Sequence, residues 1–161
     1  MDGRICLLAG LLLLPAAMSA SGDGPLDRAT LKGLKGVGAV IDTIDPELEK
    51  LGVTRDVLLS RMLERLDSDH VKADPGATEF LGLRITAVRA GHGPYAVSMT
   101  LGLYQPVLLS RNHEVRTTTK TWEVETILMA DPKILLPACS DSAGDLIDHF
   151  ANAFHAVNPE E

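Results

Sequence analysis

The strongest constraint in this chain is a change of period. Leu81, Leu83, Ile85 and Ala87 alternate with Phe80, Gly82, Arg84 and Thr86. After the turn sequence Gly91-His92-Gly93-Pro94, the set Tyr95, Val97, Met99, Leu101 and Leu103 alternates with Ala96, Ser98, Thr100, Gly102 and Tyr104. A period of two sends successive side chains to opposite faces of a strand. Each run therefore predicts one bulky face turned to a core and one small, mostly polar face turned away. Near the end the period becomes helical: Ala143, Leu146, Ile147, Phe150, Phe154 and Val157 recur at helix spacing, after Pro137 and Ser140 and before Asn158-Pro159. A second amphipathic helix is expected from Thr54, whose hydroxyl suits an N-cap, to about Leu66, with Leu59, Met62, Leu63 and Leu66 as its apolar stripe. A sheet with one apolar face and two helices with apolar stripes bury those surfaces against one another.

The second strand continues through Val107, Leu108 and Leu109, turns over residues 110–113, and returns from Arg116 to Leu128. Fifteen unbroken strand residues span about 50 Å, against a usual five or six residues, so a bend is predicted at Gly102 or Pro106. The hairpin tip, residues 110–115, is expected to project beyond the sheet.

Ahead of these elements stands "TLKGLKGVGAVID", residues 30–42, with Gly33, Gly36 and Gly38. It lacks the Gly-Lys-Ser/Thr of a phosphate-cradling loop, and no spacing of its glycines gives G-x-G-x-x-G. It reads as a first strand over 34–41, closed by Asp45-Pro46, with a short helical turn in "PELEKLG". Gly36, Gly38, Gly82, Gly102, Ser98, Thr100 and Tyr104 then fall on one sheet face, which is either solvated or open to close approach by another surface. The predicted fold class is α/β (α+β): a two-layer sandwich with a mixed four- to five-stranded sheet, two main helices on one face, and the order β-α-β-β-β-α. A short strand near 70–73 is the candidate fifth.

Residues 1–22 have the parts of an export signal: Arg4, an apolar run of about ten residues and then small residues. A membrane-crossing helix needs roughly twenty apolar residues, so cleavage is expected rather than a retained anchor. Cys6 lies too early to carry a lipid at the cleavage point, so a lipoprotein is not expected. The expected organisation is a secretory signal over 1–22, a flexible linker over 23–29 and a single domain over 30–159, in a periplasmic or secreted protein. The formal net charge of −7 with scattered bases argues against nucleic acid as a partner. Cys139, the one cysteine beyond the signal, has no intramolecular partner and is expected partly buried at the start of the last helix.

The chemistry of a catalyst is not apparent. His70, His92, His113, His149 and His155 form none of the H-x-H, H-x-x-H or H-E-x-x-H spacings of metal sites. There is no G-x-S-x-G elbow, and Asp42, Asp45, Glu47 and Glu49 cluster near a polar loop where carboxylates are ordinarily solvated. No catalytic, cofactor or metal residue is assigned.

"TLKGLKGVGAVID", "PELEKLGVTRDVL", "LGLYQPVLLSRN", "TTTKTWEVET" and the closing helix ending in "AVNP" together resemble a group of uncharacterised exported bacterial proteins. The order of elements is also similar, topologically, to the N-terminal domain of the periplasmic Tol translocation protein and to lipoprotein activators of penicillin-binding proteins. Both resemblances imply compartment and fold, and fold alone does not transfer a function. The expected role is a non-catalytic binding or assembly module of the bacterial cell envelope, whose partner is an envelope protein or a further copy of the chain. Gln105, Arg111, Arg116 and Trp122 of the long hairpin are its candidate partner-binding residues. A carrier of a small apolar or lipid-like ligand is the alternative, and an enzyme a third.

Overall fold

The computed structural model describes residues 22–89 and 91–159; all but Gly22 of the expected export signal lies outside the described residues. In chain order the elements are α1 (Pro25–Ala29), β1 (Gly38–Ile41), α2 (Pro46–Lys50), α3 (Arg55–Ser68), β2 (Phe80–Arg89), β3 (Tyr95–Leu109), β4 (Asn112–Ala130) and α4 (Leu135–Val157). The strands lie side by side in sequence order. β1 runs parallel to β2, and the pairs β2–β3 and β3–β4 are antiparallel. The parallel pair requires a crossover, supplied by α2 and α3. This is the mixed sheet and two-layer α/β architecture expected from the change of period.

The core lies between the sheet and α3 and α4. All five bulky residues expected to face inward from β3, Tyr95 through Leu103, are buried, as are Leu81, Leu83 and Ile85 of β2 and Trp122 and Val124 of β4. From the helix side come Leu58, Met62 and Leu66 of α3, and Ala143, Leu146, Ile147 and Phe150 of α4. The Trp122 and Phe150 rings meet edge to face at 5.4 Å, a favoured geometry for aromatic quadrupoles.

Five details depart from the sequence reading. The stripe on α3 is turned by about one residue: Leu58 is buried and Leu63 is 39 % exposed, because Arg61 and Arg65 on the neighbouring flank pack toward α4. There Arg61 lies over Gly144 and Arg65 is bound to Asp148. The last helix starts at Leu135, with Pro137 inside its first turn, where a missing N–H loses no intrahelical bond. The expected strand near 70–73 is one parallel bridge, Val37 to Ala73, so the sheet has four strands. The expected linker over 23–29 contains α1, whose first turn is fixed by the Asp27 carboxylate accepting from the Gly24 N–H and by Arg28 binding Asp23. Finally, the irregularity in the long hairpin falls on the partner strand. Leu103 pairs with Trp122 while Tyr104 pairs with Lys120, so Thr121 of β4 is the bulged residue, not Gly102 or Pro106. Pro106 lies beyond the end of β2, where β3 has only β4 as neighbour, and a strand tolerates proline at such an edge.

Candidate functional site

β2 ends at Phe80 opposite Tyr104, and past that row β3 and β4 continue as a two-stranded arm over residues 105–120, closed by Ser110 and Arg111. Every residue from 111 to 120 is exposed. Near the tip, Leu108 pairs with Arg116 and Leu109 with Asn112, leaving residues 113–115 as a wide bulge in which the Glu114 N–H donates to the Asn112 side chain. The arm holds Arg111, Arg116 and Lys120 against a single acid, Glu114, in a chain whose net charge is −7. It is a basic projection on an acidic molecule.

The four candidate residues divide along this arm. Arg111 and Arg116 are exposed and enter no ion pair among the described residues. Gln105 sits at the base, where its amide donates to Thr121 Oγ1 at 2.7 Å and to the Thr30 carbonyl at 3.1 Å. It ties the arm to the N-terminal segment. Trp122 is 1 % exposed, so the expected contact residue is a core residue and presents no surface to a partner. The bulge at Thr121 explains the difference: it turns Trp122 inward over Phe150 although Lys120, two residues earlier, lies on the outer face beside Gly102.

One polar group near the arm base was not anticipated. Trp122 Nε1 donates to Asp23 Oδ1 at 2.9 Å, and the same carboxylate accepts from Arg28 at 2.8 and 2.5 Å. The Arg28 bond, aided by Trp122 and opposed by desolvation, holds the Asp23 carboxyl below its usual range. Gly22 extends this strap, its carbonyl accepting from the Glu123 N–H at the edge of β4. These partners lie about a hundred residues apart, and no local pattern announces them.

The outer sheet face also differs from expectation. Its glycines are roofed. A Cβ on Gly82 would stand 2.9 Å from the Tyr104 ring, and one on Gly102 would stand 2.6 Å from the Lys120 stem. Tyr104 stacks on Phe80 at 5.2 Å across the strand pair, so glycine here is the seat of a neighbouring ring. That closes the option of a bare surface at these two positions. Beside Tyr104 a cleft of about 340 Å³ runs past Val40, Gly82 and Arg84 to Asp42. The Thr43 backbone N–H and then Arg84 lower the Asp42 pKa, which keeps it a carboxylate.

Cys139 is buried, and desolvation raises its thiol to about 11, which makes it a poor nucleophile at neutral pH. No group of His, Cys, Asp and Glu able to hold a metal ion occurs among the described residues, and none of their helices is long and apolar enough to cross a membrane.

No protein-family model matches the chain, and neither does any curated protein. Among solved structures, a PelC L103M dodecamer from Paraburkholderia phytofirmans matches at 15 % identity and a TM-score of 0.40, over 79 % of this chain and 88 % of that one. A minor lipoprotein from Acinetobacter baumannii matches at 10 % identity and a TM-score of 0.27, over 77 % and 93 %. Likenesses of this degree carry no argument about what the chain does.

Proposed function

We propose that the protein is a non-catalytic binding or assembly module of the bacterial cell envelope, working in the periplasm or outside the cell, and that it engages an acidic protein surface through its arm. One observation carries the reading. Residues 111–119 are exposed and face no core, yet the arm is fixed at its base by Gln105 and the Thr121 bulge, and it presents Arg111 and Arg116 in no ion pair among the described residues. Exposed β structure with no internal packing role suits a partner, and opposite charge would steer the encounter. The export signal read in the sequence supports the compartment.

Arg111 and Arg116 are the contact residues in this reading, while Gln105 and Trp122 hold the platform. The test is photo-crosslinking from position 113 in cells, comparing wild type with Arg111→Glu/Arg116→Glu. The reading expects a discrete adduct with an acidic envelope protein that is lost in the double variant, with unchanged thermal unfolding. Equal adducts from both proteins, or none from either, would refute the arm as the contact.

A further inference from the structure

The strap at the start of the domain bears on where the expected export signal is cut. Gly22 has a φ of 101°, in the left-handed region that favours glycine. A Cβ at this position would stand 2.6 Å from Glu123 Cγ and 2.8 Å from the Glu123 carbonyl oxygen. The Glu123 side chain could swing aside, but the carbonyl belongs to β4, whose register with β3 is regular from Trp122 to Ala130. Glycine alone fits here. The close approach lets its own carbonyl accept from the Glu123 N–H at 3.3 Å. Asp23 is fastened beside it, accepting from Trp122 Nε1 at 2.9 Å and from Arg28 Nε at 2.8 Å. Successive residues of the strap are thus bound to successive residues of β4, one through the backbone and one through a side chain.

Export signals end at a bond with small residues in the first and third positions before it. Three bonds here have that pattern: after Ser19, behind Ala17 and Ser19; after Ser21, behind Ser19 and Ser21; and after Gly22, behind Ala20 and Gly22. The bond after Ala20 has the larger Met18 in the outer position. Of the three, only a cut after Gly22 separates this glycine from the domain into which it fits. That cut would strip the acceptor from the Glu123 N–H. It would also leave a charged α-amino group on Asp23, close to the Arg28 guanidinium that Asp23 binds.

We infer that the signal is cut ahead of Gly22, after Ser19 or Ser21, so that Gly22 enters the mature chain as part of its strap. The boundary at 22 expected from the sequence then moves toward the N-terminus. The inference rests on the export-signal reading and is independent of the arm.

The test is to express the full precursor and its Gly22→Val variant in a bacterial host, and to measure intact mass and thermal unfolding of the exported proteins. Wild type is expected to begin at Ala20 or Gly22. Valine is too large for the position just before a cut, so it blocks cleavage after residue 22 and leaves cleavage after Ser19 open. The variant is therefore expected to be processed, to carry the added mass of the valine side chain, and to unfold about 3–6 °C lower because a β-branched residue is forced into a left-handed position. A wild-type product beginning at Asp23, a variant that stays unprocessed while wild type is cut, or a processed variant as stable as wild type would each overturn the inference and leave the export reading standing. Uncut wild type would overturn both.

Discussion

Replacing Asp23 by alanine is the most informative perturbation of the N-terminal strap. Trp122 is 1 % exposed, and its Nε1–H donates to the Asp23 carboxylate. Removing the acceptor strands a buried donor, at a cost of about 1–3 kcal/mol. The ion pair with Arg28, whose side chains are 15 % and 43 % exposed for Asp23 and Arg28, adds about 0.2–1 kcal/mol. Together the loss is about 2–3 kcal/mol, which for a domain of this size lowers Tm by about 5–10 °C. Asp23→Asn keeps an acceptor for the indole and loses mainly the ion pair, so it costs about 1 kcal/mol. Trp122 is the only tryptophan of the chain, so urea unfolding followed by its fluorescence reads the site directly. The pH dependence has a definite sign. The folded carboxyl titrates below its ordinary value of 3.8, so its contribution is complete above that value and disappears as the pH falls through the lowered one. The gap between wild type and Asp23→Ala should narrow in acid by the ion-pair share alone, because a protonated Asp23 still accepts from the indole. A difference of less than about 0.5 kcal/mol at neutral pH, the range of ordinary surface changes, would refute the strap as an anchored element.

Three further outcomes are expected. Cys139 should resist a thiol reagent at pH 8 in the folded protein and react fully in denaturant; because its folded pKa is raised to about 11 from 9.0, its contribution to stability is intact below pH 9 and lost as the pH rises through that window. His70 closes α3 at φ 58°, a left-handed position where glycine avoids the Cβ clash, so His70→Gly should raise stability by about 0.5–1 kcal/mol in thermal unfolding. Gly82→Ala pushes the Tyr104 ring from its seat and should cost about 1 kcal/mol. In a double-mutant cycle with Tyr104→Ala the two losses should fall well short of additive, and additive losses would show that the ring and the glycine are energetically separate.

The sequence made legible what repeats within a single element. Alternation through Tyr95, Val97, Met99, Leu101 and Leu103 identified the buried face of β3 residue by residue, because strand geometry enforces it regardless of neighbours. The stripe of α3 was off by one residue, since helix rotation is decided by what packs against it, here Arg61 on Gly144 and Arg65 on Asp148. Trp122 is expected as a contact from its place in the hairpin alone, yet it shares the inward face with Val124, and the extra residue at Thr121 confines the outward register to the arm residues before it. The strap was out of reach altogether: Asp23 meets Trp122 across 99 positions, and a short polar segment rich in Gly and Pro gives no periodic signal. The glycine face was recognised as a face, but its cover comes from Tyr104 and Lys120 on neighbouring strands, which only the register reveals.

The extra residue at Thr121 also frees the arm from the body in evolutionary time. Inside the sheet, a single insertion would invert the alternation that buries Trp122 and Val124, so length there is fixed. Beyond Thr121 the ladder restarts in its own register and serves no core, so the hairpin can gain or lose residue pairs at the tip without disturbing the core behind it. Reach and stability are thereby set by different stretches of one strand, and related chains should vary in arm length while keeping the core pattern up to residue 104 and from 122 onward.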